Sequence, residues 1–215
     1  MEFTLRPEAP ADHRAVEELT RAAFWNHYAP GCTEHYLVHL LRDADAFVRE
    51  LDFVAVSGGE IIGNIMYTRA AIHGDSGEIR PVLCFGPLSV LPEFQGRGVG
   101  TRLIRHTQVL ARDLGHTAIL IYGDPAFYER VGFLPAETYS IGTAQNAYAA
   151  ALLACELVPG ALARCPGRFV EDGIFGFDPE QAAEFDRSFP RLEKRSGLPA
   201  QQRFAQLSAL VRSRT

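Results

Sequence analysis

The segment LPEFQGRGVGTRL (residues 91–103) joins an apolar run, VLCFGPLSV (82–90), to a stretch with helical periodicity. Glycine stands at every second position in it, at Gly96, Gly98 and Gly100. A helix N-terminus exposes unpaired backbone N–H groups and carries a partial positive charge. Glycine lets an anion approach that backbone closely. The segment therefore predicts a phosphate-binding loop at a strand-to-helix junction.

Two familiar nucleotide-binding loops do not fit this spacing. A Walker A loop needs Lys followed by Ser or Thr after its last glycine, whereas Thr101 and Arg102 follow Gly100. The dinucleotide fingerprint needs G-x-G-x-x-G, and here Thr101 stands where the last glycine belongs. A glycine-rich turn without a ligand would lose conformational entropy with nothing to offset it. A different phosphate ligand is therefore expected.

The composition is that of a protein with a sizeable core and no basic face. The chain has 215 residues, of which 47% are hydrophobic and 22% charged, and its net charge is −5. This length fits one large domain, or one domain with an appendage. The acidic balance argues against nucleic acid as a partner. No run of 18 apolar residues and no N-terminal leader pattern occurs, so we expect a cytoplasmic protein that spans no membrane.

The four cysteines are scattered and form no C-x-x-C pair, which favours reduced thiols over disulfides or a zinc site. Two of them lie in apolar runs, which is typical of small core residues. The four are Cys32, Cys84, Cys155 and Cys165.

Hydrophobic periodicity and turn residues predict alternating helices and strands. The predicted strands are 3–7, two in a hairpin around Gly58-Gly59, 82–90, 117–122 and about 152–158. The predicted helices are one from Asp12, one from Thr33, one ending before Gly115, one from Asp124 to Gly132, and two in the tail at about 179–195 and 199–213.

The stretch Gln95-Gly96-Arg97-Gly98-Val99-Gly100 resembles the Q/R-x-x-G-x-G/A motif of the GCN5-related N-acetyltransferases (GNAT), which bind the pyrophosphate of acetyl-CoA. The resemblance extends to GPLSVLPEF (86–94) and GDPAFYERVGF (123–133). Together with ACELVPGAL (154–162), these segments are similar to a bacterial subfamily of YhbS-type predicted acetyltransferases. The tail from about 171 lies outside the family pattern.

This resemblance implies an α/β (α+β) GNAT fold, in which helices flank a mixed, mostly antiparallel central sheet. It implies a GNAT domain over residues 1–170, and we expect a C-terminal helical extension over 171–215 that packs on it. A monomer or a homodimer is compatible with it.

The resemblance also implies an acetyl-CoA-dependent N-acetyltransferase that needs no metal. From charge and composition we expect neither nucleic acid nor membrane as a partner. We expect it to move the acetyl group to a primary amine, on a small molecule, by direct attack in a ternary complex. Two alternatives stay open: a non-catalytic acetyl-CoA-binding sensor or interaction protein, and an N-acetyltransferase that acts on proteins or peptides.

Site residues carry over from the family motif position by position. Backbone N–H groups of residues 96–101 would hold the pyrophosphate, and Leu88 and Val90 would pair with the pantetheine arm. A backbone N–H near Val90 would polarise the thioester carbonyl. Tyr128 is the expected general acid for the leaving thiolate. The expected cofactor-binding residues are Leu88, Ser89, Val90, Gln95, Gly96, Arg97, Gly98, Val99, Gly100, Thr101 and Phe127.

The general base is not determined by the sequence. The second helix borders the acceptor site in this family, and it carries or adjoins Glu34, His35 and His39. His73 stands near a strand end, and water is a further candidate. His35 and His39 share a helical face, but two histidines without a third ligand are weak evidence for metal.

Overall fold

The computed structural model of the protein describes residues 1–214, which form eleven strands and six α-helices. The strands are β1 (Thr4–Pro7), β2 (Phe53–Ser57), β3 (Glu60–Gly74), β4 (Ile79–Val90), β5 (Ala118–Tyr122), β6 (Leu134–Pro135), β7 (Ile141–Gly142), β8 (Ala147–Ala149), β9 (Leu152–Glu156), β10 (Gly167–Val170) and β11 (Val211–Ser213). The helices are α1 (His13–Phe24), α2 (Glu34–Leu41), α3 (Val99–Asp113), α4 (Pro125–Tyr128), α5 (Pro179–Asp186) and α6 (Pro199–Ala209). Short 3₁₀ turns connect several of them.

The first of two compact units carries the start of the sheet. It comprises Met1–Tyr67, Gly86–Ile104 and Gly173–Phe204. Its strand order is β1-β2-β3-β4, with β1, β2 and β3 antiparallel in turn. The β2–β3 turn uses Gly58 and Gly59 at φ 58° and 88°, as the hairpin prediction requires.

Helices α1 and α2 bury their apolar faces against this part of the sheet. Burying one such side chain contributes about 1.5–3 kcal/mol. Residues 174, 175 and 177, from the chain segment before α5, pack on the same cluster. The buried members of the cluster are Val16, Leu37, Val38, Leu41, Phe47, Val54 and Met66.

The second unit comprises Thr68–Phe85, Arg105–Asp172 and residues 205–214. Its strand order is β3-β4-β5-β9-β6, since β3 and β4 are long enough to contribute to both units. Strands β4 and β5 are parallel, β5–β9 and β9–β6 are antiparallel, and β10 pairs antiparallel with β3. The sheet is therefore mixed and mostly antiparallel with helices around it, which confirms the predicted fold class.

The predicted N-cap residues of the helices are partly confirmed. Asp124 caps α4, because its carboxylate accepts a hydrogen bond from the Ala126 N–H at 3.0 Å. Asp12 and Thr33 occupy the N-cap positions of α1 and α2, but neither side chain caps the helix. The Asp12 carboxylate instead accepts hydrogen bonds from the Arg6 guanidinium.

The two tail helices are shorter than predicted. The first ends at Asp186, since Pro190 has no N–H to donate and restricts the residue before it. The second ends at Ala209, and Val211–Ser213 forms β11 against β8. Pairing with a strand more than sixty residues earlier outweighs the helical pattern there. None of the helices within residues 1–214 is both long enough and apolar enough to cross a bilayer.

Candidate active site

The glycines of the loop before α3 have distinct structural roles. Gly96 and Gly98 adopt φ values of 70° and 85°, in the left-handed region that favours glycine. Both are exposed, and a Cβ added at either would meet no atom within 4 Å. Gly100 is buried within the first turn of α3. The first two therefore shape the turn, and the last belongs to the helix.

The loop leads directly into the open N-terminus of α3. The Arg102 N–H donates to the Gly98 carbonyl at 3.0 Å, which is the first bond of the helix. The N–H groups of Val99, Gly100 and Thr101 precede that bond and belong to the N-terminal turn. A 15-residue helix adds a partial positive charge at this end. The Gln95 side chain ties the loop to β4 by donating to the Val90 carbonyl at 3.0 Å.

The end of β4 alternates between buried and half-buried residues. The Ser89 hydroxyl lies 2.9 Å from the Thr20 hydroxyl of α1, and both side chains are 0% exposed. Leu88 and Val90 are half-buried. Because successive side chains of a strand point to opposite faces, the Leu88 and Val90 side chains face away from α1. Ser89 has only its backbone to offer a ligand.

A close approach of backbone seats α3 on the sheet. A Cβ at Gly63 of β3 would lie 2.9 Å from the Val99 side chain and 3.2 Å from the Ser89 carbonyl. The absence of a side chain at Gly63 therefore lets the first turn of α3 pack against β3 and β4. Outside the core, the Arg102 guanidinium donates to the Phe3 carbonyl at 3.1 Å.

In the second unit, Tyr128 is held by aromatic rings. Its ring centroid lies 5.9 Å from Phe85, 4.8 Å from Phe127 and 5.7 Å from Phe133. A Cβ at Gly123 would lie 2.2 Å from Tyr128 Cε2, so only glycine leaves room for this ring position. Tyr128 and Phe127 are both half-buried. The structure thus brings together residues 88–90 with 95–101 in one unit, and Phe127 with Tyr128 in the other.

Of the four candidate bases, His35 is the most enclosed. It is 0% exposed, and its Nε2 lies 3.1 Å from an Asp186 carboxylate oxygen while its Nδ1 lies 3.4 Å from the Cys32 sulfur. Burial lowers the pKa of His35 to about 4, and the nearby Asp186 charge only partly opposes this. Its position is that of a neutral residue of the interior. Burial likewise raises the pKa of Cys32 to about 12, which keeps it a thiol.

The other three candidates occupy different surroundings. Burial raises the pKa of Glu34, whose carboxylate accepts a hydrogen bond from the Thr33 N–H. His39 lies 3.0 Å from a buried Glu17 carboxylate oxygen. His73 lies in β3, opposite Arg168 of β10.

The sequence did not point to one further carboxylate, that of Glu171. Glu171 follows β10 directly, and its carboxylate lies 3.7 Å from the buried Cys84 sulfur of β4. The two residues are 87 positions apart, so no local motif connects them. Within residues 1–214 no group of three or more His, Cys, Asp and Glu side chains is arranged to hold a metal ion.

Comparisons with known proteins identify sequences and structures that are similar to this chain. The profile of the acetyltransferase (GNAT) domain matches residues 46–135. YjhQ, an uncharacterized N-acetyltransferase of Escherichia coli (strain K12), is 35% identical over 134 residues, which are 62% of this chain and 70% of that protein.

Two solved structures with bound cofactor are similar over most of the chain. The GNAT family N-acetyltransferase YhbS from Escherichia coli, in complex with CoA, has a TM-score of 0.72 and 26% identity, covering 82% of this chain and 93% of that one. A GNAT family acetyltransferase from Brucella melitensis, in complex with acetyl-CoA, has a TM-score of 0.64 and 26% identity, covering 81% and 98%.

Proposed function

The chain belongs to the GNAT family and is an acetyl-CoA-dependent N-acetyltransferase, and we propose that its acceptor is the primary amine of a small molecule, attacked directly in a ternary complex. The observation that supports acetyl-CoA as the donor is the loop of residues 95–101, which ends at the open N-terminus of α3. Solved structures of similar proteins hold CoA and acetyl-CoA.

The pyrophosphate of the cofactor is assigned to the backbone of this loop. The N–H groups of residues 96–101 supply donors where the helix itself leaves them unpaired, and the helix dipole favours the negative charge. Gln95 supports this assignment because its bond to the Val90 carbonyl holds the loop against β4. Arg97 is an exposed residue of the loop and adds a positive charge. Thr101 adds a hydroxyl donor.

The pantetheine arm and the thioester are assigned to the end of β4. Leu88 and Val90 are half-buried there, and their backbone groups would pair with the amides of the arm. An N–H near Val90 would donate to the thioester oxygen as negative charge develops on it. Phe127 would contact the apolar part of the arm.

Tyr128 is assigned as the general acid. The neutral amine attacks the thioester carbon and forms the C–N bond, and the nitrogen loses one proton. The C–S bond then breaks, and the leaving thiolate takes the phenol proton of Tyr128. Since a free thiol has a pKa of roughly 8.5 and a phenol roughly 10, this transfer is only slightly uphill. Three rings, those of Phe85, Phe127 and Phe133, hold the phenol in one position, and Gly123 leaves room for it.

The segment between α1 and α2 supports a small acceptor. Residues of the tail fasten it: the Trp25 indole and the Asn26 amide both donate to the Glu193 carbonyl, at 3.0 and 2.9 Å. The Arg195 N–H donates back to the Asn26 side-chain oxygen at 3.0 Å. In this family the second helix, which follows this segment, borders the acceptor site. A fastened segment favours a bounded pocket over the open groove that a protein substrate needs.

A screen of amines tests the proposal. Polyamines, aminoglycosides, free amino acids and peptides are each supplied with acetyl-CoA, and CoA release is measured. We expect turnover with at least one small amine and a kcat/KM at least tenfold above that of any peptide. Preference for peptides would contradict the small acceptor. Binding of CoA without turnover on any amine would favour the sensor.

A further inference from the structure

Three side chains form a cluster at the C-terminal end of β5, and the site described above does not use them. They are Cys84 of β4, Tyr122 of β5 and Glu171 after β10, and we call them the β5-end cluster. The Cys84 thiol donates to a Glu171 carboxylate oxygen at 3.7 Å. Glu171 is half-buried, and Tyr122 is 41% exposed, so the cluster opens to solvent on the Tyr122 side.

The Glu171 carboxylate has no cation of the protein beside it. Within the described residues, no arginine, lysine or histidine forms an ion pair with it, and the titratable groups that face it are Cys84 and Tyr122. Burial raises the pKa of Glu171, and the thiol hydrogen bond partly opposes this. The negative charge of Glu171 in turn helps to raise the pKa of both neighbours. A half-buried carboxylate in these surroundings is suited to accept a proton or a cation.

The cluster and Tyr128 lie on opposite faces of β4. Cys84 and Phe85 are successive strand residues, so their side chains point to opposite faces. Phe85 packs against Tyr128, with ring centroids 5.9 Å apart, whereas Cys84 contacts Glu171. A ligand beside this part of β4 would therefore have a phenol on one face of the strand and a carboxylate on the other.

The pairing of β4 with β5 supports this placement. In the described part of the chain the ladder between these two parallel strands consists of the pair Leu83–Ile119. Cys84 and Tyr122 lie beyond that pair, toward the carboxyl ends of both strands. Where two parallel strands cease to pair, their backbone groups become available to a ligand. Leu88, to which the pantetheine arm is assigned, is four residues further along β4.

We propose that Glu171 is the general base that takes the proton from the acceptor amine, and that Cys84 positions its carboxylate. The inference rests on the proposed acetyl transfer. As the amine nitrogen bonds to the acetyl carbon, it gives one proton to the Glu171 carboxylate, and Tyr128 gives one to the departing thiolate. Glu171 then releases its proton to solvent and Tyr128 regains one, so both residues return to their starting state.

The inference is tested first by binding, without an acceptor. The probe is CoA whose sulfur carries a 2-aminoethyl group, which places an ammonium nitrogen close to where an attacking amine approaches. Calorimetric titration compares this probe with CoA itself. We expect the wild-type protein to bind the probe on the order of tenfold more tightly than CoA, because the ammonium pairs with Glu171.

The Glu171→Gln variant lacks the negative charge of the carboxylate. It should bind the probe and CoA with equal affinity, and its affinity for CoA should equal that of the wild type. Glu137→Gln is the matched control, since Glu137 is an exposed glutamate of the same unit, paired with Arg212. It should keep the wild-type preference. A wild-type protein that shows no preference, or a Glu171→Gln variant that keeps it, overturns the inference.

Kinetics separates this inference from the proposed function. On an amine found in the screen, Glu171→Gln should lower kcat on the order of 10²-fold at pH 7 and remove the acidic limb of the pH–rate profile. Cys84→Ala should move that limb to higher pH, since the thiol bond lowers the pKa of Glu171. A fully active Glu171→Gln variant would show that Glu171 is not the general base, whereas acetyl transfer by the protein would still be established. If Glu171→Gln does not fold, the Cys84→Ala shift and the wild-type preference for the probe decide the question.

Discussion

At the scale of single residues, removal of one oxygen atom tests the assignment of Tyr128 as the general acid. Tyr128→Phe removes the hydroxyl and keeps the ring that packs against Phe85, Phe127 and Phe133. We expect unchanged CoA affinity and a drop in kcat on the order of 10²-fold, with kcat/KM falling equally. Steady-state kinetics measures both.

Tyr139→Phe is the control for this change, because Tyr139 belongs to the same unit and lies outside the ring cluster. It should leave kcat within twofold of wild type. A Tyr128→Phe enzyme that is equally active, under conditions where chemistry limits the rate, would remove Tyr128 from the mechanism.

A substitution at Gly98 tests whether the loop of residues 95–101 binds phosphate. Its φ of 85° is strained for any residue with a branched Cβ, and a side chain there would stand between a phosphate and the N–H groups of α3. Gly98→Val should therefore weaken CoA binding at least tenfold, as measured by calorimetry. Gly100→Val should weaken it as well, since Gly100 lies in the first turn of the helix.

Gly77→Val is the control for the effect of backbone strain alone on CoA affinity. Gly77 adopts a φ of 95°, is exposed, and sits in the turn between β3 and β4. This variant should lose as much thermal stability as Gly98→Val and keep full CoA affinity. CoA affinity that survives at both Gly98 and Gly100 would place the phosphate elsewhere.

At the scale of elements, a partly buried polar contact joins α5 to α1 and α2. The Arg21 guanidinium of α1 donates to the Asp186 carboxylate of α5 at 2.6 Å, and His35 of α2 lies 3.1 Å from the same carboxylate. Phe185 and Phe189 flank His35, with ring centroids 5.6 and 5.0 Å away. The tail is thus joined to the interior by charge and by ring packing.

This contact makes stability depend on pH. The unfolded chain binds a proton at His35 near its ordinary pKa of about 6.5, whereas burial holds the pKa of the folded state at about 4. The unfolded state therefore binds more protons between these values, and the stability from neutral His35 is present above pH 6.5 and lost as pH falls toward 4. The loss reaches on the order of 3 kcal/mol.

Thermal melts of wild type and His35→Gln between pH 7 and pH 4.5 measure this effect. We expect Tm of the wild type to fall more steeply than that of the variant, because only the wild type carries the buried imidazole. His39→Gln, on the exposed side of the same helix, should follow the wild type. Parallel curves for wild type and His35→Gln would show that His35 does not control this dependence.

At the scale of the whole molecule, cofactor binding should stabilise the fold. A ligand that binds only the native state adds RT ln(1 + [L]/Kd), which is about 2.7 kcal/mol at a hundredfold excess over Kd. CoA and acetyl-CoA should both raise Tm by several degrees. CoA without its 3′-phosphate–ADP part, which is pantetheine, should raise it little, because the loop of residues 95–101 then has no pyrophosphate to bind. Equal shifts with pantetheine and CoA would contradict the assigned role of the loop.

Local features of this protein were determined by the sequence alone. Gly58, Gly59, Gly96 and Gly98 adopt positive φ values because the turns that contain them require a backbone that other residues rarely adopt. Asp124 caps α4 because its carboxylate reaches an N–H only two residues away. The motif around Gly96–Gly100, together with the segments 86–94 and 123–133, sufficed to identify the family, and this resemblance implied the mixed sheet.

Contacts between distant segments were decided only by the tertiary structure. Val211–Ser213 is a strand because β8 offers it a partner, and the pKa of His35 is lowered because α5 helps to bury it. The contact of Glu171 with Cys84 joins residues 87 positions apart and depends on β10 pairing with β3. A residue's local pattern determines its own backbone, whereas the burial and charge state of its side chain depend on which remote segments the sheet brings beside it.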